Sequence, residues 1–135
     1  MVSLSRPWEP AGFEIAATVS VLVGDDVAAL RDVLRPHVAL YVGGMGAKGR
    51  NFYNALVRRY GWEAEAERIQ ELYLSGQQRE AIAAVPDGLV DAVSLLGPKE
   101  RIAERLEAWR ATPVTALLLG TTQLEALRTL AELLL

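Results

Sequence analysis

Residues 38–60, VALYVGGMGAKGRNFYNALVRRY, carry an apolar segment into a cluster of glycines and out again onto a helical pattern. Gly43, Gly44, Gly46 and Gly49 share this short stretch with Met45, Lys48 and Arg50. Glycine lets the backbone take positive φ or approach a neighbour closely, at an entropic cost. A stretch of this kind either binds a ligand or packs tightly against another part of a larger protein.

Upstream of it, Phe13, Ile15, Ala17, Val19, Val21 and Val23 occupy one parity while Glu14, Thr18 and Ser20 fall on the other. That alternation predicts a strand. Gly24-Asp25-Asp26 stops it and can cap a helix. Val27, Leu30, Leu34, Val38 and Tyr41 then follow at helical spacing, with Pro36 placed to kink or split the helix. Asp25 and Asp26 also form an acid pair at the end of a strand, where active sites of α/β proteins gather, but capping explains them more simply.

Downstream, Phe52, Leu56, Val57 and Tyr60 make an apolar stripe ended by Gly61 in a C′ role. Trp62, Ala66, Ile69 and Tyr73, with Leu72 beside them, make another that closes at Ser75-Gly76. The tryptophans and tyrosines at this spacing read as core, and Glu63, Glu65, Glu67 and Glu71 as a solvated face. Residues 77–84 suggest a short helix, and Pro86-Asp87 a turn. Residues 93–96 are a short apolar run before Gly97-Pro98, and Ile102, Leu106 and Trp109 share a helix face after it. Residues 114–119 are continuously apolar, as in a strand buried on both faces of a parallel sheet. Thr122 with Glu125 fits a capping box before a leucine-rich helix. This succession is the grammar of a parallel α/β architecture, helix-rich and with about three strands.

Composition narrows the function. The net charge of −3 gives no general attraction to phosphate backbones or anionic lipid, so nucleic acid and membrane are not expected partners. There is no cysteine and one histidine, His37, which removes thiolate chemistry and any histidine metal cluster. His37, beside Pro36, reads as a packed or hydrogen-bonded residue rather than a general base. No apolar run reaches the roughly 18 residues of a membrane span, and the N-terminus shows no basic-then-apolar leader, so the expected location is the cytoplasm. No Ser/His/acid triad can be assembled.

Gly44, Gly46 and Gly49 spell G-x-G-x-x-G. A dinucleotide fold would need an acidic residue closing a second strand about 20 residues on, and Glu65 and Glu67 lie instead within a helical pattern. A phosphate loop is also excluded, because Arg50-Asn51 follows Gly49. Two roles stay open for the loop. Backbone amides at the helix start, with Lys48 and Arg50, could hold a carboxylate or phosphate, or the cations could simply be solvated. Thr18 and Ser20 would face the interior of a barrel, bordering a cofactor cavity or filling the lumen.

Taken together, VALYVGGMGAKGRNFYNALVRRYGW, RIQELYLSG and VPDGLVDAVSLLGPKERIAERLEAW resemble the C-terminal portion of luciferase-like monooxygenase superfamily proteins, in the branch of coenzyme F420-dependent oxidoreductases. The resemblance covers about residues 12–120. It implies the C-terminal portion of a TIM (β/α)8 barrel. Residues 1–12 would be a lead-in and 13–135 a partial barrel with a helical insertion over about 43–92. Residues 13–23 would be a late strand, with 93–96 and 114–119 the closing ones. A whole barrel takes about 250 residues, so most of the cofactor's contacts would lie outside this segment.

The implied chemistry is hydride transfer between a deazaflavin (F420, with FMN the alternative) and a small organic substrate, without a metal. The isolated chain is expected to be inactive, and the resemblance identifies neither a catalytic nor a cofactor-binding residue in it. Gly43, Gly44 and Met45 are the expected wall of the cleft, with Thr18 and Ser20 bordering it and Lys48 and Arg50 as anion contacts. A partial barrel exposes strand edges, so a homo-oligomer or a complementing N-terminal barrel half is the expected partner. The alternative is a non-catalytic interaction or anion-binding module derived from such a barrel.

Overall fold

The computed structural model describes Val2–Ser3 and residues 13–135. Apart from Val2–Ser3, the lead-in expected over residues 1–12 lies outside the described residues. The strands are β1 (Val2–Ser3), β2 (Ala16–Val23), β3 (Ser94–Gly97) and β4 (Ala116–Gly120). The helices are α1 (Val27–Ala39), α2 (Phe52–Arg59), α3 (Glu63–Leu74), α4 (Gln78–Ala83), α5 (Asp87–Ala92), α6 (Lys99–Arg110) and α7 (Leu124–Leu134). A π-helical turn, Leu40–Gly44, continues α1. The chain forms two compact units, Met1–Leu30 with Val93–Leu135, and Arg31–Ala92.

In the first unit the sheet order is β1-β4-β2-β3, with β4, β2 and β3 parallel and β1 antiparallel to β4. The architecture is therefore helix-rich α/β with a three-strand parallel sheet, as expected for part of a barrel. β2 serves both neighbours by halves. Ala16 to Ser20 pair with β4 (Ala16↔Ala116, Ser20↔Gly120), and Ser20 to Val23 pair with β3 (Ser20↔Ser94, Val23↔Gly97). In an unbroken run of barrel strands the second of three would be central; here the first, β2, is central because it is long enough to offer both edges. The outer edge of β3 has no strand partner among the described residues.

The alternation read in residues 13–23 sorts the two faces. Val19 and Val21 bury with Leu95, Leu117, Ile102 and Leu106 of α6, and Ala126 and Leu130 of α7, into one apolar core. Both helices thus cover the same face of the sheet. The opposite parity is bare along β4: Ala16 and Thr18 are exposed, Ser20 is half-buried, and Leu118 is 43% exposed. This corrects the expectation that residues 114–119 are buried on both faces. Their apolar run suits both faces, but on the face opposite Leu117 Ala116 is buried while Leu118 is exposed.

Three further expectations shift for local reasons. Pro36 does not split α1, which runs through it to Ala39 and continues into the π turn. A proline lacks the N–H of one helical bond, and Pro36 occupies an exposed position where that loss is tolerable. The start of α7 is capped at Gln123, not Thr122. The Gln123 carboxamide accepts from Val23 N at 2.7 Å and donates to Val23 O at 3.3 Å, extending the β4–β2 ladder beyond Gly120. Trp62 and Trp109 are half-buried, and Tyr60 is 60% exposed, so the aromatic residues are not uniformly core.

Other signals hold. Asp26 Oδ1 accepts from Ala29 N at 3.1 Å, which is the capping role. Helices α2 and α3 both end on paired 6→1 and 5→2 bonds: Trp62 N to Val57 O with Gly61 N to Arg58 O, and Gln77 N to Leu72 O with Gly76 N to Tyr73 O. Gly61 at φ +100 and Gly76 at φ +83 supply the left-handed residue that each closure requires. Among the described residues no helix is long and apolar enough to cross a membrane.

Helices α6 and α7 are linked on their exposed sides by Lys99 and Glu132. The hydrogen bond and charge of Lys99 hold the Glu132 carboxyl below its ordinary value of 4.5. A depressed carboxylate stabilises the fold above its unfolded value, and the contribution disappears as pH falls through the lowered folded one. Urea midpoints of the wild type and Glu132→Gln are therefore expected to differ above about pH 4.5 and to converge below it, with added salt shrinking the difference. A gap that stays constant across the acid range would show that this carboxyl does not titrate against Lys99.

Candidate functional site

The glycine stretch lies in the second unit, and its first two glycines are helical. Gly43 is buried and Gly44 half-buried in the π turn. A Cβ on Gly43 would stand 2.6 Å from Tyr73 Cβ, and one on Gly44 2.5 Å from Tyr73 Cε1. Their smallness lets the π turn lie directly on α3 (Glu63–Leu74), whose Ala66 and Ile69 are fully buried. Met45 is 48% exposed beyond them. Lys48 reaches Glu71 of α3 at 3.0 Å, and Arg50 is exposed.

A π turn offsets the backbone register and leaves carbonyls in need of donors. Asn51 and Asn54 supply them. Asn51 Nδ2 donates to Tyr41 O at 3.0 Å and Val42 O at 3.1 Å. Asn54 Nδ2 donates to Val42 O at 2.9 Å and to Ala66 O at 2.8 Å. Their oxygens are also used: Asn51 Oδ1 accepts from Asn54 N at 3.0 Å, and Asn54 Oδ1 accepts from Arg58 Nε at 2.8 Å. Both side chains are buried, at 4% and 5% exposure. The face that α2 buries is therefore Asn54 and Val57; of the apolar stripe read from the sequence Val57 is buried and Leu56 half-buried, while Phe52 and Tyr60 are 71% and 60% exposed. Periodicity missed this because a polar side chain can be core when buried carbonyls consume its donors. The available signal was the pair of asparagines three apart at a helix start.

Elsewhere in the second unit, Arg31 makes a two-pronged pair with Asp91, Nε to Oδ1 at 3.0 Å and Nη2 to Oδ2 at 2.8 Å. Arg35 donates to Asp32, Asp87 and the Val85 carbonyl. The bond to Asp91 raises the Arg31 pKa, and although burial works against Arg35, its hydrogen bonds to Asp32 and Asp87 raise it overall. These are permanently charged structural ties between α1 and α5. The His37 ring is exposed and lies 4.6 Å from that of Tyr41, tilted by 43°.

The remaining two sequence-derived residues, Thr18 and Ser20, belong to the first unit. They stand in register on the bare sheet face, Thr18 opposite Leu118 and Ser20 between Gly120 and Ser94. With Ala16 and Gly120 they make a surface of small side chains, fringed by Leu118. The strand ends beside it are held by the Gln123 clamp on Val23, a positioning residue that no sequence pattern marked. Among the described residues no group of three or more His, Cys, Asp or Glu is placed to hold a metal. The structure thus offers two distinct polar features, a shallow sheet face and a tightly bonded helical cluster.

Comparison with known proteins supplies the context. The sequence profile of the luciferase-like monooxygenase family matches residues 6–116. A Mycobacterium tuberculosis protein named "Putative coenzyme F420-dependent oxidoreductase" is 36% identical over 121 residues, which are 90% of this chain and 35% of that protein. The chain therefore spans about a third of the length of the curated relative it matches. No solved structure matches significantly.

If Gly43 serves close packing, Gly43→Ala should destabilise the chain by about 1–3 kcal/mol, since neither Tyr73 Cβ nor the Ile69 carbonyl can move freely. Asn54→Leu, nearly isosteric, should cost about 1–3 kcal/mol by removing a donor from the Val42 and Ala66 carbonyls, the first of which keeps Asn51, and the acceptor of Arg58 Nε. Chemical denaturation of both variants measures these; an unchanged midpoint for Asn54→Leu would show that water replaces the amide.

Proposed function

Because the chain belongs to the luciferase-like monooxygenase family, we propose that it forms one wall of the cleft of a coenzyme F420-dependent oxidoreductase, which passes a hydride between the deazaflavin and a small organic substrate. The oxidoreductase assignment rests on the family and on the named relative. The observation that carries the cleft is the bare sheet face. Helices α6 and α7 cover one side of β2 and β4, while on the other side Ala16, Thr18, Leu118 and Gly120 are exposed and Ser20 half-buried, beside the buried Leu22, Ser94, Leu96 and Ala116. One-sided covering by helices is what a barrel requires, where helices line the outside and alternate strand side chains face the interior.

The fit to a flat heterocycle is physical. Side chains this short leave room for a ring to lie along the strands, and the Thr18 and Ser20 hydroxyls can donate or accept at polar positions on the ring edge. The bound deazaflavin supplies the carbon that accepts or releases the hydride. The chain's own contribution is to orient that ring and exclude water on one side, with Leu118 as the apolar fringe. Gly43 and Gly44 are engaged by Tyr73, so the wall is assigned to the β2 and β4 residues.

A single face cannot enclose a ring. The active form is therefore proposed to include further strands, from a complementing N-terminal barrel half or a second copy, paired at the open edge of β3 and lying over the bare face. The chain alone is proposed to be inactive and to work in the cytoplasm.

Amide NMR of the isotopically labelled chain tests the wall. F420 is expected to shift Thr18, Ser20, Leu118 and Gly120 and to leave α3 unmoved, and Ser20→Leu should weaken the effect roughly tenfold without altering the melting curve. Saturation by FMN in preference to F420 would reassign the cofactor. No shift of these residues with either compound at millimolar concentration would sink the cleft.

A further inference from the structure

Beside the asparagine cluster the second unit contains a cavity of about 190 Å³, for which the proposed oxidoreductase chemistry has no use. Its lining includes Lys48, Asn51, Asn54, Arg58, Glu67 and Gln70. Most of these polar atoms are already committed. The asparagine amides serve the Tyr41, Val42 and Ala66 carbonyls, and Lys48 is paired with Glu71 at 3.0 Å.

Three groups remain. Arg58 is held by Asn54 Oδ1 through Nε, while its Nη1 stands 3.9 Å from the nearest carboxylate, Glu63, leaving terminal donors with little to do. Glu67 has no ion-pair or hydrogen-bond partner among the described residues. Gln70 is 2% exposed; its amide nitrogen makes one long bond, 3.4 Å to the Gly46 carbonyl, and its oxygen has no partner among the described residues. The oxygen is not among the fully buried unpartnered atoms, so it keeps contact with solvent and is free to accept a further donor.

We propose that this cavity binds a small zwitterion of the amino-acid class. Its carboxylate is taken by Arg58, and its ammonium by the Gln70 oxygen and the Glu67 carboxylate. Charge decides the class. A bare phosphate or carboxylate would meet Glu67 in the same cavity, with Glu63 and Glu71 flanking both cations. A simple cation would leave the Arg58 donors unused and face their charge. Only a molecule carrying both signs satisfies all three groups. Size agrees, since the cavity is smaller than the roughly 300–1,000 Å³ of drug-sized pockets and suits a ligand of a few heavy atoms.

This proposal stands apart from the cleft, because its residues are in the second unit and the sheet face is in the first. The test is amide and side-chain NMR of the full chain titrated with glycine and L-alanine, then with acetate, methylammonium and inorganic phosphate. Saturable shifts at Gly49, Ala55 and the Gln70 amide are expected for the amino acids, and roughly tenfold weaker ones for each single-charge probe. Arg58→Gln and Glu67→Gln should each weaken amino-acid binding by a similar factor while Thr18 and Ser20 stay unmoved. Glu67 is exposed, so its variant remains informative if Arg58→Gln loosens the helix. Phosphate or acetate binding as tightly as the amino acids, or no saturable shift with any amino acid at millimolar concentration, overturns the proposal.

Discussion

The carbonyl of Val42 is where the second unit is held together. It belongs to a π turn, it is buried, and it receives side-chain amides from both Asn51 and Asn54. Those bonds fix the start of α2 against the end of α1, while the second amide proton of Asn54 reaches the Ala66 carbonyl and ties in α3. The close approach of this turn to α3 is possible only because Gly43 and Gly44 present no Cβ to Tyr73. The glycines and the asparagines thus solve one problem together. The first pair removes side-chain bulk, and the second satisfies the carbonyls that the resulting burial takes from water.

A different constraint governs the first unit. Its core is made by one face of the sheet with α6 and α7, and the sheet's other face carries small and hydroxylated residues along β2 and β4. A parallel sheet normally has both faces covered, since its strands are apolar on both sides. Here Leu118 records the mismatch, an apolar residue exposed on the side without helices. In a barrel that side would be the lumen, lined by strands across the axis. The family membership and the one-sided helices therefore describe the same geometry, reached from sequence similarity in one case and from burial in the other.

Much of this was legible beforehand. Period-2 alternation placed β2 and chose its faces correctly, because a strand's side chains have only two directions to take. Gly61 and Gly76 marked the ends of α2 and α3, since few other residues tolerate the closing conformation. The family was visible in three blocks of residues. What failed was the inference from apolar spacing to burial on α2, where Phe52 and Tyr60 are exposed and Asn54 is core. The reading of Thr122 as a cap failed similarly, because a backbone partner at Val23, distant in sequence, engaged Gln123 instead.

By itself the sequence determined most of the elements (not α5, whose start at Pro86-Asp87 read as a turn, nor the π turn), the parity of the strand residues, the stops of α2 and α3 and the family, all of which depend on interactions within a few residues or on inherited pattern. Only the tertiary structure decided which polar groups are buried, which strand is central and why the glycines are there. Those outcomes depend on partners far along the chain: Tyr73 for Gly43, Val23 for Gln123, Ala66 for Asn54. A donor's need for an acceptor can be read locally, but the acceptor that meets it is a matter of which segments fold against one another.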